Sequence, residues 1–160
     1  MNEQTLTIRP ARLCDIPRVL ELLRQVNNVH HAIRPELFVK NKTKYEAEEL
    51  ALLMGKEDAS IFVAEDAQGI VHGYLFAFVR ERTGPNLTGG TSFYIDDLCV
   101  DESWRGSGVG RRLLEHAKAY AGELGCREVL LTVWEGNEAA RRFYRNNGFT
   151  PRSCLMELKI

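Results

Sequence analysis

The chain has 160 residues, of which 44% are hydrophobic and 27% are charged, and its 21 Lys and Arg residues nearly balance its 22 Asp and Glu residues. This length is typical of one domain, which we expect to span residues 1–160, and the composition is too apolar for a disordered chain. A formal net charge of -1 excludes the general positive field that attracts nucleic acid or an anionic membrane, so neither partner is predicted.

The termini and the metal-binding residue types point to an ordinary cytoplasmic protein. Residues Met1–Thr5 contain no basic segment followed by an apolar run, and no stretch approaches membrane-spanning length. His30 and His31 are adjacent and point in different directions on any regular element, which favours helix-end or loop histidines over a metal site. The cysteines lie far apart, form no Cys-x-x-Cys pair and are predicted to be reduced packing residues. They are Cys14, Cys99, Cys126 and Cys154.

The first third of the chain has one strand-like and two helical segments. A short strand is predicted at Thr5–Arg9, followed by a helix at about Cys14–Asn28 in which Asp15 is the expected N-cap. A second helical pattern runs over Thr43–Met54. The segment His30–Lys42 lies between the two helices, lacks clear periodicity and is a candidate substrate loop.

In the middle of the chain the hydrophobic pattern changes to the two-residue period of a β-strand. Strand-like runs at Ile61–Ala64 and Val71–Val79 flank a turn at Asp66–Gly69 and predict an antiparallel hairpin. A polar, glycine-rich loop at Thr83–Gly90 then leads into a third strand of this region at Ser92–Asp101.

The last third of the chain alternates helix and strand. We predict a helix at Val109–Leu124, a buried strand at Glu128–Trp134, a helix capped by Asn137 and ended by Gly148, and a last strand at Arg152–Ile160. The predicted fold class is α/β, of the mixed α+β kind. It contains a mixed, mostly antiparallel sheet with a parallel βαβ unit at its centre and helices on both faces.

The strand at Ser92–Asp101 contains a change of phase. Phe93 and Ile95 share one face, whereas Leu98 and Val100 have the opposite parity. One inserted residue near Asp96-Asp97, forming a β-bulge, would put all four side chains on one buried face, and bulges re-aim side chains next to active sites. The alternative is a strand that ends its pairing early.

A glycine-rich turn follows that strand and opens the next helix. Glycines let the backbone turn tightly, and the free N–H groups at a helix N-terminus favour an anion, so a phosphate or pyrophosphate fits here. A P-loop would need Lys and Ser or Thr where Arg111 and Arg112 stand, and the third glycine comes one position early for a dinucleotide fingerprint, which disfavours an NAD- or ATP-dependent enzyme. A plain loop is the remaining alternative. The turn consists of Arg105, Gly106, Ser107, Gly108, Val109 and Gly110.

Four separated segments together resemble the GCN5-related N-acetyltransferase (GNAT) superfamily. The family's phosphate-binding pattern falls on Arg105, Gly108 and Gly110 without departure, and the diagnostic region covers Tyr94–Phe149. The segments are Leu98-Cys99-Val100, Trp104–Gly110, Asn137–Tyr144 and Asn147-Gly148-Phe149.

The resemblance implies an acetyl-CoA-dependent N-acyltransferase and assigns its cofactor residues. Backbone groups of Leu98, Cys99 and Val100 would pair with the pantetheine arm, and amides of Arg105–Gly110 would hold the pyrophosphate. Asn137 would lie near the pantetheine or a bound water. Tyr144 is the position whose phenol often protonates the departing thiolate; without the resemblance it would be interpreted as a core tyrosine. Arg111 and Arg112 could reach the nucleotide end of CoA.

Direct acetyl transfer needs a base for the amine, a donor for the carbonyl oxygen and an acid for the sulfur, but no enzyme nucleophile and no metal. Tyr144 is the predicted acid, and a backbone N–H at the bulge is a candidate donor. Asp96 is the first candidate for the base, because it lies at the bulge and matches an acidic position of some polyamine-acetylating relatives, and Asp97 is the second. Cys99 has no histidine placed to activate it and is predicted to be a packing residue.

The acceptor is predicted only as an amine of a small molecule, peptide or protein. Val29–Phe38, Thr83–Phe93 and the start of the second helix are expected to wall its pocket, and Glu36, Glu46 and Glu49 are candidates for attracting a cationic amine, although the last two also fit an exposed helical face. The alternative function is a CoA-binding sensor or interaction module without turnover. A homodimer is possible for such a fold.

Overall fold

The computed structural model describes residues 5–160. Its strands are β1 (Thr7–Pro10), β2 (Ala59–Glu65), β3 (Val71–Glu81), β4 (Thr91–Val100) and β5 (Glu128–Leu131), and its helices are α1 (Ile16–Ile33), α2 (Ala47–Met54), α3 (Val109–Glu123) and α4 (Glu138–Asn146). The strands form one mixed sheet in the order β1-β2-β3-β4-β5, in which only β4 and β5 pair in parallel. The predicted fold class is therefore confirmed.

The sheet separates two hydrophobic clusters, so helices cover both faces as predicted. One cluster packs α3 against the sheet through residues spaced four apart, such as Leu113, Ala117 and Ala121. The other packs α1 and α2 on the opposite face, with Leu22 and Tyr74 fully buried. The sheet thus holds α3 on one side and α1 and α2 on the other.

Gly73 in β3 lets α3 approach the sheet closely. A Cβ atom at this position would lie 2.9 Å from the carbonyl oxygen of Cys99 and 3.1 Å from Cγ1 of Val109. Any larger residue would push the first turn of α3 away from β4, which precedes it in the chain. The sequence offered no sign of this role, because the contact joins three elements.

Several boundaries differ from the sequence predictions. Helix α1 continues to Ile33, and α2 begins only at Ala47, where Glu46 and Glu49 form a capping box. Asp15 stands at the N-cap position of α1 but makes no capping hydrogen bond there, because its carboxylate accepts from the guanidinium of Arg9 at 2.8 Å. Asp15 is therefore the N-cap residue of α1, as predicted, but its side chain makes no capping hydrogen bond.

The predicted strand at Arg152–Ile160 is absent. Residues 151–160 form neither helix nor strand, and β5 is consequently an edge strand of the sheet within residues 5–160. The βαβ unit lies at the edge of the described sheet rather than at its centre. Alternating apolar residues favour a strand, but a strand also needs a neighbour to pair its backbone groups, and the described chain provides none.

The cysteines are free thiols with different surroundings. Cys99 is buried, as predicted for a packing residue, and Cys126 is partly buried. Cys14 and Cys154 are exposed, so the packing prediction is wrong for these two. Among the described residues, no helix combines the length and apolar character needed to cross a bilayer.

Candidate active site

The β-bulge lies where the sequence predicts it. Phe76 of β3 pairs with Asp97 and the next residue, Ala77, pairs with Ile95, which leaves Asp96 as the inserted residue. The insertion puts the residues of both halves of β4 on the same core face, as the change of phase requires. These residues are Phe93, Ile95, Leu98 and Val100. Asp96 and Asp97 at the bulge both line one cavity.

Strands β4 and β5 separate at the bulge. Their pairing ends at Ile95 and Leu131, so the edge of β4 beyond the bulge has no strand neighbour on that side within residues 5–160. A cavity of about 440 Å³ opens between the two strands and α4. It brings together residues from distant parts of the sequence, including Asp96, Asp97, Leu98, Trp134, Asn137 and Tyr144.

Two acidic side chains at the bulge have different partners. Asp96 accepts hydrogen bonds from the ammonium of Lys44 at 2.6 Å and from the hydroxyl of Tyr45 at 2.9 Å, both on the same oxygen. Asp97 accepts a hydrogen bond from the hydroxyl of Tyr74 at 3.1 Å. Asp96 is therefore an ammonium-binding carboxylate already, whereas Asp97 has no cationic side chain bonded to it among the described residues.

The pKa values of two cavity residues are raised. Burial raises the pKa of the Asp97 carboxyl to about 6, and the negative charge of Asp96 raises it as well. The charge of Lys44 and the hydrogen bond from Tyr74 act in the opposite direction. Burial, together with the charge of Asp97, raises the pKa of the Tyr144 phenol. At neutral pH Asp97 is thus close to its titration range and Tyr144 is protonated, which suits a base and an acid respectively.

The glycine-rich turn presents unpaired backbone amides. Gly106 and Gly108 have φ angles of +79° and +89°, and Gly108 is the N-cap of α3. The N–H groups of residues 108–111 find no acceptor among the described residues. The Ser107 hydroxyl instead donates to the Trp104 carbonyl at 2.5 Å and stabilises the turn. The turn can therefore accept a phosphate through its backbone.

Gly110 serves packing rather than the turn. A Cβ atom there would lie 3.3 Å from Cζ of Phe143 and 3.4 Å from Cγ2 of Val100. The absence of a side chain at Gly110 lets α3, α4 and β4 meet at one point. This contact brings the helix that carries Tyr144 close to the end of β4.

The three arginines of the turn region point in different directions. Arg105 donates from Nε to the carbonyl of Val100 at 3.3 Å, on the unpaired edge of β4. Arg111 is exposed and pairs with Glu115 on the next turn of α3, and Arg112 donates to the carbonyl of Leu6 at 2.6 Å. Of these three, Arg105 is the one that the structure places beside the expected cofactor path.

Asp101 anchors the turn to α1 and was missed by the sequence analysis. Its carboxylate accepts hydrogen bonds from the amide of Ser103 at 2.9 Å, from Arg18 at 2.5 Å and from Gln25 at 3.3 Å. Burial alone would raise its pKa, but the hydrogen bonds from Ser103 and Arg18 hold the pKa of Asp101 below its usual range. The Asp-x-Ser spacing was a usable signal, because it is typical of a side-chain-capped turn.

Asn137 and Cys99 have structural contacts of their own. The Asn137 side chain caps α4 by accepting from the amide of Ala140 at 3.1 Å, as predicted, while also lining the cavity. The Cys99 thiol lies on the opposite face of the sheet, 3.3 Å from the carbonyl oxygen of Leu22. Burial raises its pKa to about 12, so it remains a thiol at neutral pH.

The acceptor side of the cavity matches its predicted walls only in part. His30 and Phe38 line it, within the predicted range Val29–Phe38, and Lys44 lies in the predicted start of the second helix, but no residue of Thr83–Phe93 is among its lining residues. Glu36 pairs with Arg34 and Lys159. The capping box of α2 occupies the other two candidate carboxylates. Lys44, Tyr45 and Tyr74 surround the carboxylates of the bulge instead, and no local sequence pattern predicted these contacts.

Comparison with known proteins agrees with this geometry. The model of the Acetyltransferase (GNAT) family matches residues 26–149. YwnH of Bacillus subtilis (strain 168) is 33% identical over 94 residues, which are 58% of this chain and 55% of YwnH. The peptidyl-lysine N-acetyltransferase YjaB of Escherichia coli (strain K12) is 40% identical over 89 residues, which are 52% of this chain and 56% of YjaB.

A solved structure extends the likeness to almost the whole chain. The tetramutant of the BH1408 protein from Bacillus halodurans superposes with a TM-score of 0.91 at 28% identity, covering 96% of this chain and 99% of that protein. The chain spans little more than half the length of these two curated relatives. Because the family match covers more than half of the chain, this protein belongs to the GNAT acetyltransferase family.

Proposed function

We propose that this protein is an N-acetyltransferase that moves an acetyl group directly from acetyl-CoA to a primary amine in a ternary complex. The observation that carries the proposal is the cavity where β4 and β5 separate. It places two carboxylates, one of them already bound to an ammonium, in the same space as the phenol of Tyr144. Family membership supports acetyl-CoA as the acyl donor.

The residues around the cavity fit the proposed cofactor. Acetyl-CoA supplies the acetyl group as a thioester. The free amides at residues 108–111 offer donors for its pyrophosphate, and the unpaired edge of β4 at Leu98–Val100 offers backbone partners for its pantetheine arm. Arg105 lies at the Val100 end of this edge. Asn137, which follows β5 in the chain, lines the cavity.

The pair Lys44 and Asp96 supports a cationic primary amine as the acceptor. The Lys44 ammonium has the charge and hydrogen-bonding groups of such an acceptor, and it is held at 2.6 Å by the bulge carboxylate. We propose that an acceptor ammonium displaces Lys44 and binds Asp96 in its place. The peptidyl-lysine acceptor named for YjaB has the same chemistry.

The proposed proton path uses Asp97 and Tyr144. Asp97 takes a proton from the bound ammonium, the amine nitrogen then bonds to the acetyl carbon, and the carbon–sulfur bond breaks as Tyr144 gives a proton to the sulfur. The nitrogen gives its second proton to solvent, and proton return from Asp97 to Tyr144 through solvent completes the cycle, so the net products from an ammonium and acetyl-CoA are an N-acetyl amide, a thiol and one proton. The sequence favoured Asp96 as the base, but the raised pKa of Asp97 and the engagement of Asp96 with two donors support Asp97.

The test is release of free thiol from acetyl-CoA in the presence of a panel of amines. The panel should contain a polyamine, an aminoglycoside and a lysine-containing peptide, each with an analogue in which the amine is replaced by a hydroxyl. We expect turnover with cationic primary amines and none with the hydroxyl analogues. Binding of acetyl-CoA without turnover on any amine would contradict the enzyme and favour the CoA-binding sensor.

Removing the Tyr144 hydroxyl should slow the reaction without unfolding the protein. For Tyr144→Phe we expect kcat to fall by about 100- to 1,000-fold, the usual contribution of a positioned acid, with no change in the dissociation constant of acetyl-CoA. The phenyl ring keeps the packing of Tyr144 against Phe143 and Phe149. Tyr120→Phe is the matched control, since Tyr120 packs against Phe62 in the α3 cluster away from the cavity. Equal kcat values for the two variants would remove Tyr144 from the mechanism.

Removing the Lys44 ammonium should make the acceptor bind more easily. For Lys44→Met we expect the KM of a cationic acceptor to fall about three- to tenfold, because a partly exposed ion pair that competes for Asp96 is worth roughly 1 kcal/mol. Steady-state kinetics at varied acceptor and saturating acetyl-CoA measure this change. Lys42→Met, at an exposed position two residues earlier, should leave KM unaltered. A rise in KM for Lys44→Met alone would instead make Lys44 part of the acceptor site.

A further inference from the structure

A buried histidine contacts the residue that precedes the glycine-rich turn. His72 is the second residue of β3 and is 6% exposed. Its imidazole stacks on the indole of Trp104, with the ring centroids 3.7 Å apart and the ring planes inclined by 19°. Trp104 is followed directly by Arg105, the first residue of the turn. His72 therefore touches the residue from which the turn starts, although the proposed proton path does not use it.

An acidic side chain fixes the orientation of the His72 ring. The hydrogen bond from His72 holds the pKa of the Asp66 carboxyl below its usual range, so the carboxylate is ionised at neutral pH and can only accept. Nε2 of His72 accordingly donates to Oδ2 of Asp66 at 2.7 Å. The other oxygen of Asp66 accepts from the amides of Gln68 and Ile70, both at 2.9 Å. The loop between β2 and β3 thus holds the carboxylate, and the carboxylate holds the imidazole.

The second ring nitrogen of His72 has an unfavourable surrounding. Nδ1 is buried and has no hydrogen-bond partner among residues 5–160. An apolar side chain of similar size would fill this space without the cost of removing a polar atom from water. Core packing alone therefore does not explain a histidine at this position. A flat ring with one directional hydrogen bond explains it, because such a ring stacks in a fixed orientation.

Trp104 makes the hydrogen bonds that close the turn. Its carbonyl oxygen accepts from the amide of Ser107 at 3.3 Å and from the hydroxyl of Ser107 at 2.5 Å. Its own amide donates to the carbonyl of Asp101 at 2.8 Å, and the amide of Asp101 donates to the carbonyl of His72 at 2.8 Å. A shift of Trp104 would therefore move Ser107 and the free amides that follow it.

We propose that His72 is a positioning residue for the glycine-rich turn. By stacking on Trp104 in the orientation set by Asp66, it holds the turn in the shape that presents the free amides of residues 108–111 before a ligand binds. A preformed site loses less conformational freedom on binding, so the stack raises the affinity for a pyrophosphate group. This inference rests on the proposed function, because acetyl-CoA supplies that group.

The test compares two ligands that differ in the pyrophosphate. Acetyl-CoA contains it, whereas S-acetylpantetheine has the same thioester arm without it. His72→Gln keeps a donor for Asp66 but removes the ring. For this variant we expect the dissociation constant of acetyl-CoA to rise about three- to tenfold, the typical contribution of an aromatic pair, and that of S-acetylpantetheine to stay unchanged. Titration calorimetry measures the first constant, and nuclear magnetic resonance titration measures the weaker binding of S-acetylpantetheine.

His72→Phe and His116→Gln are the matched variants. His72→Phe keeps a ring face for Trp104 and should recover most of the affinity for acetyl-CoA. His116 contacts the ring of Phe62 further along α3, with the ring centroids 4.6 Å apart, so His116→Gln removes a histidine–aromatic contact away from the turn. It should change neither dissociation constant. Circular dichroism and thermal unfolding verify that each variant is folded at the temperature of the titration.

A double-mutant cycle tests whether His72 acts through Trp104. Trp104→Leu removes the same stack, so adding His72→Gln to it should raise the dissociation constant of acetyl-CoA no further. Additive effects in this cycle, equal effects of His72→Gln on both ligands, or no effect on acetyl-CoA would each overturn the inference and make His72 an ordinary core residue. A folded wild type that binds neither ligand would instead contradict the proposed function.

Discussion

The Gly108→Trp variant should lose measurable affinity for acetyl-CoA, with a dissociation constant raised by at least about 100-fold, which corresponds to roughly 2.7 kcal/mol. Gly108 is the N-cap of α3 at a φ of +89°, and a Cβ atom there has no protein atom within 4 Å. The indole therefore meets open space in front of the free amides rather than the protein itself. Titration calorimetry with acetyl-CoA measures the change.

The matched control for this variant is Gly125→Trp. Gly125 follows the other end of α3, with a φ of +74° and equally open space around a Cβ atom. Both substitutions force an L residue into the left-handed region at a cost of about 1–2 kcal/mol, so thermal unfolding should show similar losses of stability. Only Gly108→Trp should lose binding. Normal binding of acetyl-CoA by Gly108→Trp would show that the glycine turn is an ordinary loop with no role in cofactor binding.

Local patterns in the sequence were sufficient for the backbone features on the proposed cofactor side of the site. The phase change between Ile95 and Leu98 predicted the bulge, because the side-chain period of a strand is two and an inserted residue shifts it. The turn before α3 and the Asn137 cap were equally visible, since glycines and capping residues act within a few positions of the chain. Each of these signals is short-range.

The side-chain contacts on the acceptor side could not be predicted, because they join distant segments. Lys44 and Tyr45 contact Asp96 although they lie 52 and 51 residues away in the sequence. Tyr74 contacts Asp97 from the neighbouring strand β3. No spacing rule links such residues before the fold is known. The prediction of a last strand failed for a related reason: the period of Cys154–Ile160 predicts an amphipathic strand, but it does not say which strand provides the neighbour.

The Asp97→Asn variant should lose about 100- to 1,000-fold in kcat/KM for the amine at pH 7.5, because it removes the proposed base but keeps an acceptor for the Tyr74 hydroxyl. The pKa of Asp97 is raised to about 6, so the wild-type rate should rise with pH through about 6 as the carboxylate forms. The variant should show no such rise. Profiles of kcat/KM between about pH 5 and 8 measure this difference.

Stability should change in the opposite direction from activity. The folded pKa of about 6 exceeds the unfolded value near 3.9, so the folded protein holds its proton more tightly and wild-type stability falls as pH rises from about 4 to about 6. Asn carries no charge, and Asp97→Asn should therefore unfold at a higher temperature than the wild type at pH 7.5. Asp96→Asn is the companion variant: it should raise the KM of the acceptor and keep the rise in rate near pH 6. If Asp96→Asn abolishes that rise and Asp97→Asn retains it, the base is Asp96, and Asp97 is a buried carboxyl that lowers stability without serving the reaction.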